Sequence, residues 1–228
     1  MSTHYTYALL LISSISFPFL ASFHPRIKFY KEWKYHFGIS LAVALFFIVW
    51  DEWFTDKGIW WFNSNYILGS KLGHLPLEEI SFFLIIPYCL LFIYHCLPVQ
   101  LGKSNWGLPL AKVVGTVLLL LGLLFHDKWY PGLTFSLTGI VLLISSFVPI
   151  IALQLNWERI WVGYWIGLIP FFIVNGFLTA LPVVCYNNAE NLGLRMYTIP
   201  VEDSIYNLLL FFLNVMGYQL LKNRALVS

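Results

Sequence analysis

Apolar positions along this chain gather into seven long runs divided by short polar connections. The runs cover approximately residues 5–23, 37–54, 79–97, 110–126, 132–152, 159–178 and 201–221. Each comes close to the ~20 residues an α-helix needs to cross a bilayer core. They are continuous rather than alternating with period two, which argues against a closed β-barrel. Pro18, Pro87 and Pro170 fall inside three of them. Packed neighbours can satisfy the carbonyls a proline frees, so kinks are expected there rather than breaks. The pattern predicts an all-α integral membrane protein with about seven transmembrane helices.

Two connections are long, residues 55–75 and 179–199. Shifted by 124 positions they match without a gap. Asp51 falls on Asn175, Thr55 on Thr179, Phe62 on Tyr186, Asn63 on Asn187, Pro76 on Pro200, Glu78 on Glu202 and Glu79 on Asp203. Fixed-period self-similarity is the mark of an internal repeat. The same shift lays the first run on the fifth. Four spans separate equivalent elements, so both copies point the same way. The expected architecture is two parallel three-helix repeats joined by a connecting helix. Its divisions are 1–103 for the first repeat, 104–128 for the connector and 129–228 for the second. Parallel repeats also occur in transporters, so symmetry alone names no function.

Composition agrees with the membrane reading. The 228 residues are 59% hydrophobic and 11% charged, where a soluble domain carries roughly 25% charged residues. A net charge of +2 gives no reason to expect a nucleic-acid partner. Cys89, Cys96 and Cys185 have no close-spaced pairing and no zinc spacing, and read as apolar fillers. Met1 to Tyr7 holds no Lys or Arg, so the first run is expected to stay as a span rather than serve as a signal. Arg26, Lys28, Lys31, Lys34, Lys103, Lys112, Arg159, Lys222 and Arg224 collect on one side; Lys57, Lys71, Lys128 and Arg195 lie on the other. By the positive-inside rule the N-terminus is outside and the C-terminus cytoplasmic. The acids are biased the opposite way. Asp51, Glu52, Asp56, Glu78, Glu79, Asp127, Glu190, Glu202 and Asp203 sit on the non-cytoplasmic side, and only Glu32 and Glu158 do not.

That acid bias needs an explanation beyond topology. Leu75-Pro76-Leu77-Glu78-Glu79 and Ile199-Pro200-Val201-Glu202-Asp203 each set two adjacent carboxylates at the start of an apolar run. The plain reading is dipole stabilisation of a helix whose first position is the proline, by about 0.3–1 kcal/mol. Recurrence of the doublet on the matched repeat favours a functional reading, since intramembrane acids are costly. Neighbours on a helix diverge by about 100°, so one acid of each pair can face the bundle interior. Asp203, Asn207 and Asn214 share one stripe, and Glu202 aligns with Tyr206. Trp50, Trp53, Phe54, Trp60, Trp61 and Phe62 crowd the approach to the first pair. An interfacial belt is the plain reading. The functional one is a cavity whose ring faces stabilise a carbocation, by about 0.5–2 kcal/mol per ring. A carboxylic proton held in such a cavity can add to an alkene as a general acid.

Other chemistries fit less well. His4, His24, His36, His74, His95 and His126 are scattered, and none makes a di-iron cluster; His74 comes nearest to a ligand, two residues before Pro76. The acids lack the DxxxD or DDxxD spacing and basic neighbours that magnesium-bound diphosphate requires. No GxGxxG turn follows a strand, so no flavin or nicotinamide site is expected. No metal and no cofactor are anticipated.

The residues Ser16-Phe17-Pro18, Ser22-Phe23-His24-Pro25, Trp50-Asp51-Glu52-Trp53-Phe54-Thr55 and Pro76-Leu77-Glu78-Glu79 resemble the heterodimeric-type lycopene cyclases of bacteria in fused single-chain form. So do Asn175-Gly176-Phe177-Leu178-Thr179 and Ile199-Pro200-Val201-Glu202-Asp203. The resemblance covers nearly the whole chain. It implies an isomerase of the bacterial inner membrane that closes ionone rings on linear carotenoids without flavin. It carries over Glu78 and Glu202 as catalytic, with Glu79 and Asp203 beside them. The expected substrate-binding residues are Asp51, Trp53, Thr55, Trp60, Asn63, Asn175, Thr179, Tyr186, Asn187 and Tyr206. Asn175 in place of Asp51 sets the halves apart. Expected partners are lycopene from the lipid phase, membrane lipid and, as an open option, further copies of the chain. Alternatives are a carotenoid hydratase, a cyclase of elongated carotenoids, a proton- or cation-coupled transporter, and a non-catalytic pigment binder.

Overall fold

The computed structural model describes residues 4–98 and 105–227, with side chains to residue 225. The expected repeat boundary at 103/104 and Lys103 lie outside the described residues. The long helices are α1 (Thr6–Ala21), α2 (Trp33–Asp56), α3 (Leu77–Cys96), α4 (Gly107–Leu124), α5 (Trp129–Phe147), α7 (Trp157–Ala180) and α8 (Val201–Val227); the four-residue α6 (Pro149–Ala152) follows α5. Among the described residues, six helices are long and apolar enough to cross a membrane, and α1, with 16 residues, is shorter. At 1.5 Å per residue it reaches about 24 Å, against a hydrocarbon core of about 30 Å.

α3 and α8 pack against each other at the centre. α1 lies on α3, α5 lies on α8, and α2 and α7 each touch both central helices; α4 packs outside, on α5 and α7. The offset of 124 recurs in the backbone. β1 (Trp60–Phe62) pairs antiparallel with β4 (Val184–Tyr186), centred on Trp61 opposite Cys185. Asn63 N donates to Val183 O at 3.0 Å, and Asn187 N to Ile59 O at 2.9 Å. Leu77 N reaches Ser70 O, and Val201 N reaches Leu194 O. Short hairpins recur too: β2 (Lys71–Leu72) with β3 (Leu75–Pro76), and β5 (Arg195–Met196) with β6 (Ile199–Pro200).

Those hairpins revise one detail. Pro76 is not the first helical residue but the extended residue before it, with φ −67° and ψ 151°. The acids still fall in the first turn of α3 and α8. The hairpin tips also explain a difference between the halves. Gly73 and Tyr197, 124 apart, both have positive φ, 64° and 60°. A Cβ on Gly73 would lie 2.7 Å from the Glu52 carboxyl carbon, so a side chain there would displace the carboxylate that holds His74. Tyr197 is 86% exposed, and there the left-handed conformation carries only its intrinsic cost of about 1–2 kcal/mol.

α4 and α5 touch through glycines. A Cβ on Gly139 would sit 2.7 Å from both the Gly115 carbonyl oxygen and the Leu119 nitrogen. Without a hydrophobic drive inside lipid, close backbone approach through small residues is what holds such a pair. Gly139→Leu is expected to destabilise by the upper part of about 1–3 kcal/mol, because backbone rather than a side chain must yield. A melting temperature in detergent equal to wild type would contradict this contact.

Candidate active site

The starts of α3 and α8 bring all four motif acids to one end of the bundle, and the helical turn sorts them. Glu78 is turned to its own loop, where Oε1 accepts Leu68 N at 2.6 Å. Glu202 does the same with Leu192 N, also at 2.6 Å. Both are buried, and neither lines the central cavity. Glu79 and Asp203, one residue on, face it.

That cavity, of about 50 Å³, gathers Asp51, Glu79 and Asp203 from α2, α3 and α8. The three acids are 3%, 7% and 4% exposed. Among the described residues no Lys, Arg or His stands within ion-pair distance of any of them. The charge is met by phenols and an amide instead. Tyr7 OH donates to Glu79 Oε2 at 2.5 Å, and Tyr206 OH to Asp51 Oδ1 at 2.8 Å. Asp203 receives three donors: Tyr130 OH at 2.5 Å on Oδ1, with Tyr186 OH at 2.8 Å and Asn175 Nδ2 at 2.6 Å on Oδ2. The Asp51 and Glu79 carboxyls face each other closely enough to interact, and two carboxyl groups can be joined by a hydrogen bond only when one carries a proton. The arrangement is therefore unequal: two facing carboxyls on one wall, and on the other an acceptor with both oxygens engaged. Tyr186 lies outside the spanning helices; its burial, and then the adjacent Asp203 carboxylate, hold its phenol well above the usual range. It remains a donor wherever the carboxylate is charged.

Rings close the rest of the chamber. Trp60, 4% exposed, packs edge-on to Tyr130 at 5.1 Å and to Tyr206 at 6.1 Å. Tyr130 and Tyr186 stack at 6.1 Å. Phe62, Phe82, Phe171 and Asn207 complete much of the lining.

Of the residues singled out in the sequence, Asp51, Trp60, Phe62, Glu79, Asn175, Tyr186, Asp203, Tyr206 and Asn207 meet here. The others do not. Trp53 packs on Trp129 at 5.1 Å. Thr179 Oγ1 bonds Asn175 O and Thr198 Oγ1. Thr55 does not line the cavity. Asn63 and Asn187 cap matched loop turns, accepting from Asn65 N and Ala189 N. His74 is engaged by Glu52, ring to carboxylate at 2.7 Å. Tyr7 and Tyr130 were not singled out. Each lies at the acid end of its helix, but their separation is 123, one off the repeat, so the shift that aligned the acids passed over them.

These features define a class: a helical protein with membrane-length apolar helices around a buried, cation-free cluster of carboxyl groups walled by aromatic rings. Comparison with known proteins narrows it. The lycopene cyclase family model matches residues 4–97 and 127–221. A bifunctional lycopene cyclase/phytoene synthase of Pyrenophora tritici-repentis (strain Pt-1C-BFP) is 39% identical over 62 residues, 27% of this chain and 10% of that protein. The match thus spans about a tenth of the length of that curated relative. No solved structure matches. The chain belongs to the lycopene cyclase family.

Proposed function

We propose that this chain is a lycopene cyclase that closes ionone rings by intramembrane acid–base isomerisation. The proton held between Asp51 and Glu79 adds to the terminal double bond of the substrate's open end. The tertiary cation is attacked by the next alkene, which forms the six-membered ring. Asp203 then removes a ring proton, so one proton is added, one is lost and no redox change results. Ring faces of Trp60, Tyr130 and Tyr206 stabilise the cation in transit, by about 0.5–2 kcal/mol each. Glu78 and Glu202 are positioning residues that tie each acidic turn to its preceding loop.

One observation carries this reading: a facing pair of buried acids and a triply hydrogen-bonded carboxylate share one ring-walled cavity that holds no cation partner among the described residues. The matched hydrogen bonds 124 residues apart, and a family match in two segments, support the division into parallel repeats at 1–103 and 129–228 with 104–128 between. The bias of basic residues supports an N-terminus outside and a cytoplasmic C-terminus.

The test is direct. Membranes containing the full chain are incubated with lycopene, without added flavin or nucleotide, and pigments are separated. Ring-bearing product is expected; lycopene recovered unchanged from membranes holding folded protein would reject the assignment. Product structure also separates a β from an ε ring, and a hydratase by its added hydroxyl.

A further inference from the structure

A second, larger chamber joins the first. A groove of about 340 Å³ lies between α1, α3 and α7, and its lining is almost wholly apolar. Phe82, Phe171 and Asn175 line both the groove and the acid cavity, so the two adjoin across these three side chains. Along α3 the groove runs from Phe82 to Ile93, eleven residues or about 16 Å. Phe17, which also lines it, is 72% exposed, so the groove reaches the outer face of the bundle. Proline and glycine make the room. Pro18 and Pro170 are in its wall, and a Cβ on Gly167 would meet Leu90 Cδ2 at 2.8 Å.

The repeat offers a comparison. Shifted by 124, Gly167 becomes Val43, Pro170 becomes Phe46, Val174 becomes Trp50 and Phe82 becomes Tyr206. Each of these four changes adds bulk, whereas at the end of the groove farther from the acids Phe17 becomes Val141 and Ile93 becomes Gly217. The rings fill the matching space: Phe47 meets Tyr206 at 4.9 Å, Trp50 meets Tyr206 at 5.2 Å, and Phe46 meets Trp50 at 5.9 Å. Phe47 is fully buried and Trp50 is 5% exposed. One half carries an open approach to the acids, and in the other that approach is solid.

We propose that the α1–α3–α7 groove seats the uncyclised length of a linear polyene, and that one chain end is processed per binding event. This rests on the cyclase reading above. The remainder of the chain lies in the groove and emerges past Phe17 into lipid. A second ring would require the product to leave and return reversed, so a monocyclic species must be released.

Full-length protein in lipid vesicles, given excess lycopene, tests the release. Monocyclic product is expected to appear first and to accumulate free of protein, with any dicyclic product lagging. Dicyclic product with no free monocyclic species at any time overturns the one-end claim. Val174→Trp tests the seat by copying the residue at the matched position. It is expected to keep wild-type helix content while polyene retained per protein and conversion both fall at least tenfold. Cys89→Phe, which fills the groove from α3, serves if Val174→Trp fails to fold. Either variant folded and converting at the wild-type rate overturns the seat. Wild type that retains polyene unchanged, beside a filled variant that retains none, keeps the groove and rejects the cyclase.

Discussion

Glu79→Gln should lower ring formation by about 10²–10⁴-fold, the usual contribution of a positioned general acid, with little change in fold. Glutamine still accepts from Tyr7 OH, whose oxygen lies 2.5 Å from Glu79 Oε2, so packing is kept. What is lost is the carboxyl that, in the proposed mechanism, shares a proton with Asp51. The contrast is Glu78→Gln, one residue away. Its oxygen serves the Leu68 amide and faces no cavity, and glutamine can still accept there. Its rate should stay within about tenfold, equivalent to roughly 1.4 kcal/mol of misplacement. Glu78→Ala leaves that buried amide unpaired, and should cost about 1–3 kcal/mol of stability. Initial rates and melting temperatures of the three variants decide the matter. Equal losses at Glu78→Gln and Glu79→Gln would remove the division between reacting and positioning acids.

Asp203→Asn should be nearly as damaging, by about 10²-fold or more if it is the base. It would also disturb the site. Three donors converge on Asp203, and an amide turns one acceptor oxygen into a donor aimed at other donors. Tyr186→Phe gives the graded companion. Removing one hydrogen bond to a charged group costs about 1.5–3 kcal/mol, or roughly 10- to 150-fold if it is felt in the transition state. The phenol's raised pKa sets the sign of the pH effect. Wild type should show no alkaline fall from Tyr186 near pH ~10, the usual tyrosine range, because the protonated donor persists beyond it. A Tyr186→Phe rate equal to wild type across pH would mean that Asp203 does not depend on this donor. A profile measured from neutral pH to beyond the usual tyrosine range, with fold monitored by helix content, supplies the check.

Much of the frame was legible in residues alone. Long apolar runs gave the helices, because backbone groups in hydrocarbon must be satisfied within the segment. The offset of 124 was readable for the same reason that it recurs in hydrogen bonds: matched loops need matched caps, as at Asn63 and Asn187. The length of α1 was not, since its polar end at Ser22 unwinds into a turn whose serine hydroxyl is held by Pro18 O and Tyr88 OH.

Sequence by itself determined a membrane-length helical chain, a pair of loops alike at an offset of 124 residues, and two acidic turns at one end. Only the tertiary structure decided which acid of each doublet faces inward, because the 100° between neighbours has no preferred sense until α3 and α8 are packed together. It also brought in Tyr7 and Tyr130 from helices distant in sequence. And it opened one groove while its counterpart closed, a choice made by bulk at Gly167, Pro170 and Val174 against Val43, Phe46 and Trp50. Apolar residues of different size read alike in a hydropathy pattern, but space between helices depends on their volume.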